Sequence, residues 1–140
     1  MKRLLPLFLL LGCSEAKPKE FHLDRELKPY YEDFLLEAKK RNHAVETERL
    51  GFVSLVSGER YLGKCIYGEG VLVNKSKTQM DPCTLRVVIF HELGHCLLDL
   101  PHNDEPGAVH IMQKKFEPSC AIYLYLWEEL LDELFEPNTR

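Results

Sequence analysis

No stripe of lysine and arginine runs through these 140 residues, and the formal net charge is −4. The electrostatic footprint of a nucleic-acid binder is therefore missing. No apolar run reaches the roughly 18 residues that a membrane-spanning helix needs. Internal repeats and low-complexity tracts are absent too. With 45% hydrophobic and 29% charged residues, the composition excludes a disordered, collagen-like or multispanning chain. The length suffices for one domain and its single core, and is too short for two.

What is present begins with a segment that does not belong to the fold. "MKRLLPLFLLLGC" has a basic start (Lys2, Arg3), a short apolar run and Gly12 before Cys13, the layout of a secretory signal. Its ending, Leu10-Leu11-Gly12-Cys13, resembles the lipobox of bacterial lipoproteins. The resemblance implies that Cys13 is acylated and heads the mature chain. Residues 1–12 then form a signal peptide, 13–22 a lipidated polar tether and 23–140 the domain. Five cysteines are an odd number. With Cys13 given to a lipid, Cys65, Cys83, Cys96 and Cys120 form an even set suited to two disulfides in an oxidising compartment. Three pairings are open; the preferred one joins chain neighbours, Cys65 with Cys83 and Cys96 with Cys120.

Along the domain, Leu27, Tyr31, Phe34, Leu35 and Ala38 recur at three- and four-residue steps and predict an amphipathic helix over about Asp24 to Asn42. "RLGFVSLVSG" and "RYLGKCIYGEGVLVNKS" predict two to four short, mostly antiparallel strands. Asp81-Pro82 is a helix start, an N-cap followed by a proline that suits the first turn. The helix it opens runs to about Leu98 and is apolar around most of its circumference, so it belongs inside the domain. A last helix over about Ser119 to Phe135 carries Leu124, Trp127, Leu131 and Leu134 as a core stripe. Its Glu128, Glu129, Asp132, Glu133 and Glu136 form a solvated face, and Tyr123 and Tyr125 read as packing residues. The fold class is a small α+β domain: N-terminal helix, short twisted sheet, central helix, loop and C-terminal helix.

The chemistry sits in "VVIFHELGHCLLDLPHND", residues 87–104. His91 and His95 are four apart, on one face of a helix and one turn from each other. Between them Glu92 points to an adjacent side, placed to reach a water held by an ion rather than the ion itself. This is the HExxH arrangement, two zinc ligands and a general base. Burying His91, Glu92 and His95 in so apolar a helix costs desolvation unless something such as a divalent cation satisfies them. Gly94, unfavourable in a helix, suggests a close approach by another group. His102 would lie about 16 Å beyond His91 in a continuous helix. Pro101 disfavours helical geometry at Leu100, and Asp99 tolerates a left-handed cap, so the chain can turn back and bring His102 under the ion. Three imidazoles and an open position compose a catalytic zinc site. Asp104, His110 and Glu117 are the other candidates for third ligand.

"HELGHCLLDLPH" resembles the metzincin zinc-protease pattern HExxHxxGxxH, and Met112 in "HIMQ" resembles that clan's Met-turn. The resemblance implies His91, His95 and His102 as ligands of one Zn2+, Glu92 as base and Met112 as the floor beneath the metal. It also implies an exposed edge strand that aligns an extended peptide, with "GVLVN", 70–74, as a candidate. Leu98 stands where the family has glycine, and the third histidine comes one residue late, so Asp99 takes over the turn. Lys114 occupies the place where some metzincins carry a tyrosine. No CxxC pair marks a second, structural zinc.

The expected activity is a zinc endopeptidase, anchored by lipid in a bacterial cell envelope and acting on a peptide or protein. The alternatives are a non-catalytic zinc-stabilised envelope lipoprotein that serves as a binding module, and a metal-dependent hydrolase of a non-peptide amide.

Overall fold

The computed structural model describes residues 20–136. The signal peptide over 1–12, Cys13 and most of the tether lie outside the described residues. His22, at the tether's end, is already part of the fold: β1 (His22–Leu23) pairs with β2 (Phe52–Val56). Among the described residues no helix is long and apolar enough to cross a membrane.

The domain is α+β. Helix α1 (Lys28–Lys40) follows β1, with Pro29 in its first turn, where no amide hydrogen bond is lost. After β2 come β3 (Gly63–Ile66) and β4 (Gly70–Asn74). The one-turn α2 (Lys75–Thr78) is capped by the Asn74 side chain, which accepts from the Ser76 and Lys77 amides. Helix α3 (Pro82–Leu98) has the bounds that its capping residues predict. Asp81 accepts from the Thr84 amide at 2.8 Å, and Asp99 ends the helix in the left-handed region at φ 54°.

The sheet corrects one expectation. Its order is β1-β2-β4-β3, and only the β3–β4 hairpin is antiparallel; β1–β2 and β2–β4 are parallel. The α1 crossover carries the chain between β1 and β2 in the same direction, as parallel pairing requires. β4 then returns from its hairpin into the place beside β2. "GVLVN" is consequently an interior strand, buried at four of its five residues, and not the exposed edge. The edge is β3.

The sheet packs on α3 through β3 and β4, and α1 packs on α3. Between the helices Phe34 meets Phe90 edge-on at 5.2 Å, Phe90 meets Trp127 at 5.0 Å, and Phe34 meets Phe135 at 5.2 Å. From Val87 to Gly94 every residue of α3 is buried, which follows from its apolar residues lying all round the helix. The predicted last helix is two, α4 (Ala121–Tyr125) and α5 (Trp127–Phe135). Its core stripe runs through Tyr123, Trp127, Leu131 and Leu134, at steps of four, four and three. Leu124 is one position out of phase with that stripe and half exposed, and Tyr125 is 85% exposed rather than packed.

All four cysteines are in disulfides, but the neighbour pairing is wrong: Cys65 bonds Cys96, and Cys83 bonds Cys120. Cys83 and Cys96 sit toward opposite ends of α3, about 20 Å apart along its axis. Each therefore takes the partner that its own end meets, β3 at one end and the start of α4 at the other.

Candidate metal centre

α3 supplies His91 and His95 on one face, and the turn at Asp99 supplies His102. Arg49 grips that turn from the side, its Nη1 and Nη2 donating to the two Asp99 oxygens at 3.1 and 2.6 Å. One ligand atom from each of the three histidines falls within 4.8 Å of the others. His91 is buried, His95 half-buried and His102 exposed, so the cluster opens to solvent on one side. Asp104, His110 and Glu117 are not in it. The Asp104 carboxylate accepts from the Lys114 amide at 2.8 Å, and Glu117 accepts from the Gln113 side-chain amide at 3.2 Å. His110 lies between Glu105 and Glu133, 3.2 and 2.5 Å from its two ring nitrogens.

The residues fit a metal ion. His91 Nδ1 is 2.6 Å from the Ile111 carbonyl, and His95 Nδ1 is 2.6 Å from that of Leu100. A carbonyl can only accept, so both Nδ1 atoms carry the proton and both Nε2 atoms present lone pairs. His95 Nε2 and His102 Nε2 face each other at 3.2 Å. A tetrahedral ion with metal–nitrogen bonds of about 2.0–2.1 Å holds neighbouring ligands about 3.3–3.4 Å apart. Burial pushes the His91 imidazole down to about 4, against the pull of the Ile111 carbonyl, and the neighbouring His95 and His102 push the same way. His95 is lowered too, by burial first. Both are thus held in the neutral form that ligates.

Glu92 is buried beside this group, its Oε1 4.0 Å from His91 Nε2. Burial raises its carboxyl to about 7, while the backbone amide of Cys65, donating to it from β3, pulls the other way. Met112 lies under the helix. A Cβ built on Gly94 would come within 2.5 Å of its Sδ, and that is the close approach the glycine foreshadowed. The Met112 carbonyl accepts from the Asn103 amide at 2.9 Å, which ties the loop that carries His102 to the segment that packs against Gly94. Phe116 closes one flank, its ring centroid 5.4 Å from that of His91.

Several of these partners carry no sequence signal. The orienting groups of His91 and His95 are main-chain carbonyls, which any residue would offer. Arg49 and Phe116 sit in stretches without a motif, and the Cys65 amide depends on the strand order. Compared with known protein families, with curated proteins and with solved structures, the chain matches none.

Proposed function

We propose that the chain is a zinc-dependent endopeptidase of metzincin type. The observation that carries this reading is the convergence of three imidazoles, two of them held neutral by burial and oriented by carbonyls, with an acid beside them that is not one of the ligands. Three nitrogen donors and a side open to solvent suit zinc in a catalytic role, whereas a structural site closes its fourth position with protein. Glu92 between the ligand histidines, Met112 beneath Gly94 and an antiparallel edge strand alongside α3 all support the same family.

When bound, zinc would act as a Lewis acid on the scissile carbonyl and bring the pKa of water down to about 7. His91, His95 and His102 would hold it, with Ile111 and Leu100 fixing the first two rings. Glu92 takes a proton from the attacking water and returns it to the leaving amine. The Cys65 amide and the buried surroundings of Glu92 keep its carboxylate turned to the reacting side. β3 pairs with the main chain of an extended substrate. The Asn74 amide donates to the Leu62 carbonyl at 2.8 Å, so in this register Leu62, Lys64 and Ile66 face β4, and the main-chain groups of Gly63 and the carbonyl of Cys65 face outward for a substrate, the Cys65 amide being engaged by Glu92. The two disulfides accord with an exported protein, and the reading places it in a bacterial cell envelope, anchored through Cys13.

The test is hydrolysis of casein, an unfolded polypeptide, by the wild type and by Glu92→Gln. The variant is expected to keep its zinc and lose turnover by at least about a hundredfold. Full activity in Glu92→Gln refutes the mechanism. A zinc-loaded wild type that cleaves nothing favours the binding-module alternative.

A further inference from the structure

We infer that the Cys65–Cys96 disulfide is a positioning element of this site, fixing the edge strand β3 against Glu92 so that substrate and base are presented in register. The inference rests on the peptidase reading and concerns how its substrate edge is held. Cys96 follows the ligand His95 directly and is buried on α3. Cys65 lies at the centre of the outer strand, where its amide faces Glu92. Two residues earlier, Gly63 sits so close to α3 that a Cβ there would come within 2.6 Å of Val88 Cγ1 and 2.9 Å of Glu92 Cγ. The strand therefore touches the base at two points, and the disulfide locks the second of them. β3 is an edge, with hydrogen bonds to β4 on one side only. Without the cross-link its four residues depend on that one ladder, and an edge so short opens readily.

The molecule contains its own control. Cys83–Cys120 closes a loop of nearly the same length, 37 residues apart against 31, so the two bridges restrain the unfolded chain almost equally. Cys83–Cys120 joins the first turn of α3 to the start of α4, away from Glu92. A contribution from stability alone would make the two bridges interchangeable.

The experiment compares full-length zinc-loaded protein with the paired variants Cys65→Ala/Cys96→Ala and Cys83→Ala/Cys120→Ala. It reads zinc content, amide hydrogen exchange over residues 63–66, and casein affinity in the Glu92→Gln background. Removing Cys65–Cys96 is expected to leave zinc stoichiometric, speed exchange over 63–66 and weaken casein binding about tenfold, the equivalent of one or two lost hydrogen bonds. Removing Cys83–Cys120 should change neither exchange over 63–66 nor binding. Equal effects of the two removals, or unchanged exchange and binding after the first, overturn the inference. Gly63→Ala lifts β3 with both disulfides intact and should weaken casein binding in the same way, and unchanged binding there also overturns it. None of these readouts requires turnover, so inactivity of the wild type refutes the peptidase reading separately.

Discussion

Gly94→Ala tests how the helix and the Met112 loop fit together. Alanine would favour an exposed helix by about 1 kcal/mol over glycine. Here the added methyl would meet Met112 Sδ at 2.5 Å and Cε at 3.3 Å, with Leu134 Cδ1 at 3.6 Å. Overpacking of this kind costs about 1–3 kcal/mol. Methionine is flexible, which favours the lower end of that range. The single variant should thus lose between about 0 and 2 kcal/mol. Met112→Ala removes a buried side chain and should lose about 2–5 kcal/mol. Once Met112 is gone the methyl at position 94 has room, and Gly94→Ala should then stabilise the protein by about 1 kcal/mol. The predicted coupling is about 1–3 kcal/mol. Urea unfolding of all four proteins, with metal removed by chelator, measures it. Additivity within about 0.5 kcal/mol would refute the contact. Zinc affinity gives a second check, because the displaced loop carries Met112's hold on Asn103 and, through it, His102.

Asp99→Gly keeps the left-handed turn and should retain zinc. Asp99→Val puts a β-branched residue at φ 54° and should weaken zinc about tenfold or more by chelator competition, as outer-shell changes do. Glu37, buried on α1, would be raised by burial, but its bonds to Lys40 and Arg41 outweigh this and hold it below the usual glutamate range. A lowered carboxyl stabilises the fold above its unfolded pKa and loses that contribution as pH falls through the folded value. Urea midpoints of the wild type should therefore fall below about pH 4, with a smaller fall in Glu37→Gln. An identical acid profile in the two proteins would refute this assignment.

The parts of this architecture that could be read in advance are those specified locally. Asp81, Pro82 and Asp99 bound α3 by their own backbone chemistry, and the four-residue spacing of His91 and His95 puts both rings on one face of any helix. The turn that returns His102 is signalled by Asp99 and Pro101, although Arg49 and the Met112 carbonyl also hold it. The sheet order could not be read in this way. Strand patterns around Gly63 and Gly70 say that a hairpin exists, but not which arm β2 will pair with, and the Cys65–Cys96 pairing depends on that choice. Leu124 and Tyr125 look as apolar as the residues that do pack. Only the phase set by Tyr123 and Trp127 separates them. The carbonyls of Leu100 and Ile111 belong to every peptide unit, so the second layer around the metal emerged only from the folded chain.

The measurement that bears most directly on the central claim is the metal content of the purified protein beside that of His102→Ala. The three-histidine site predicts one zinc per chain in the wild type and loss or marked weakening in the variant, with the fold retained. A well-folded wild type that takes up no zinc, or a variant that binds it as tightly, would contradict the account.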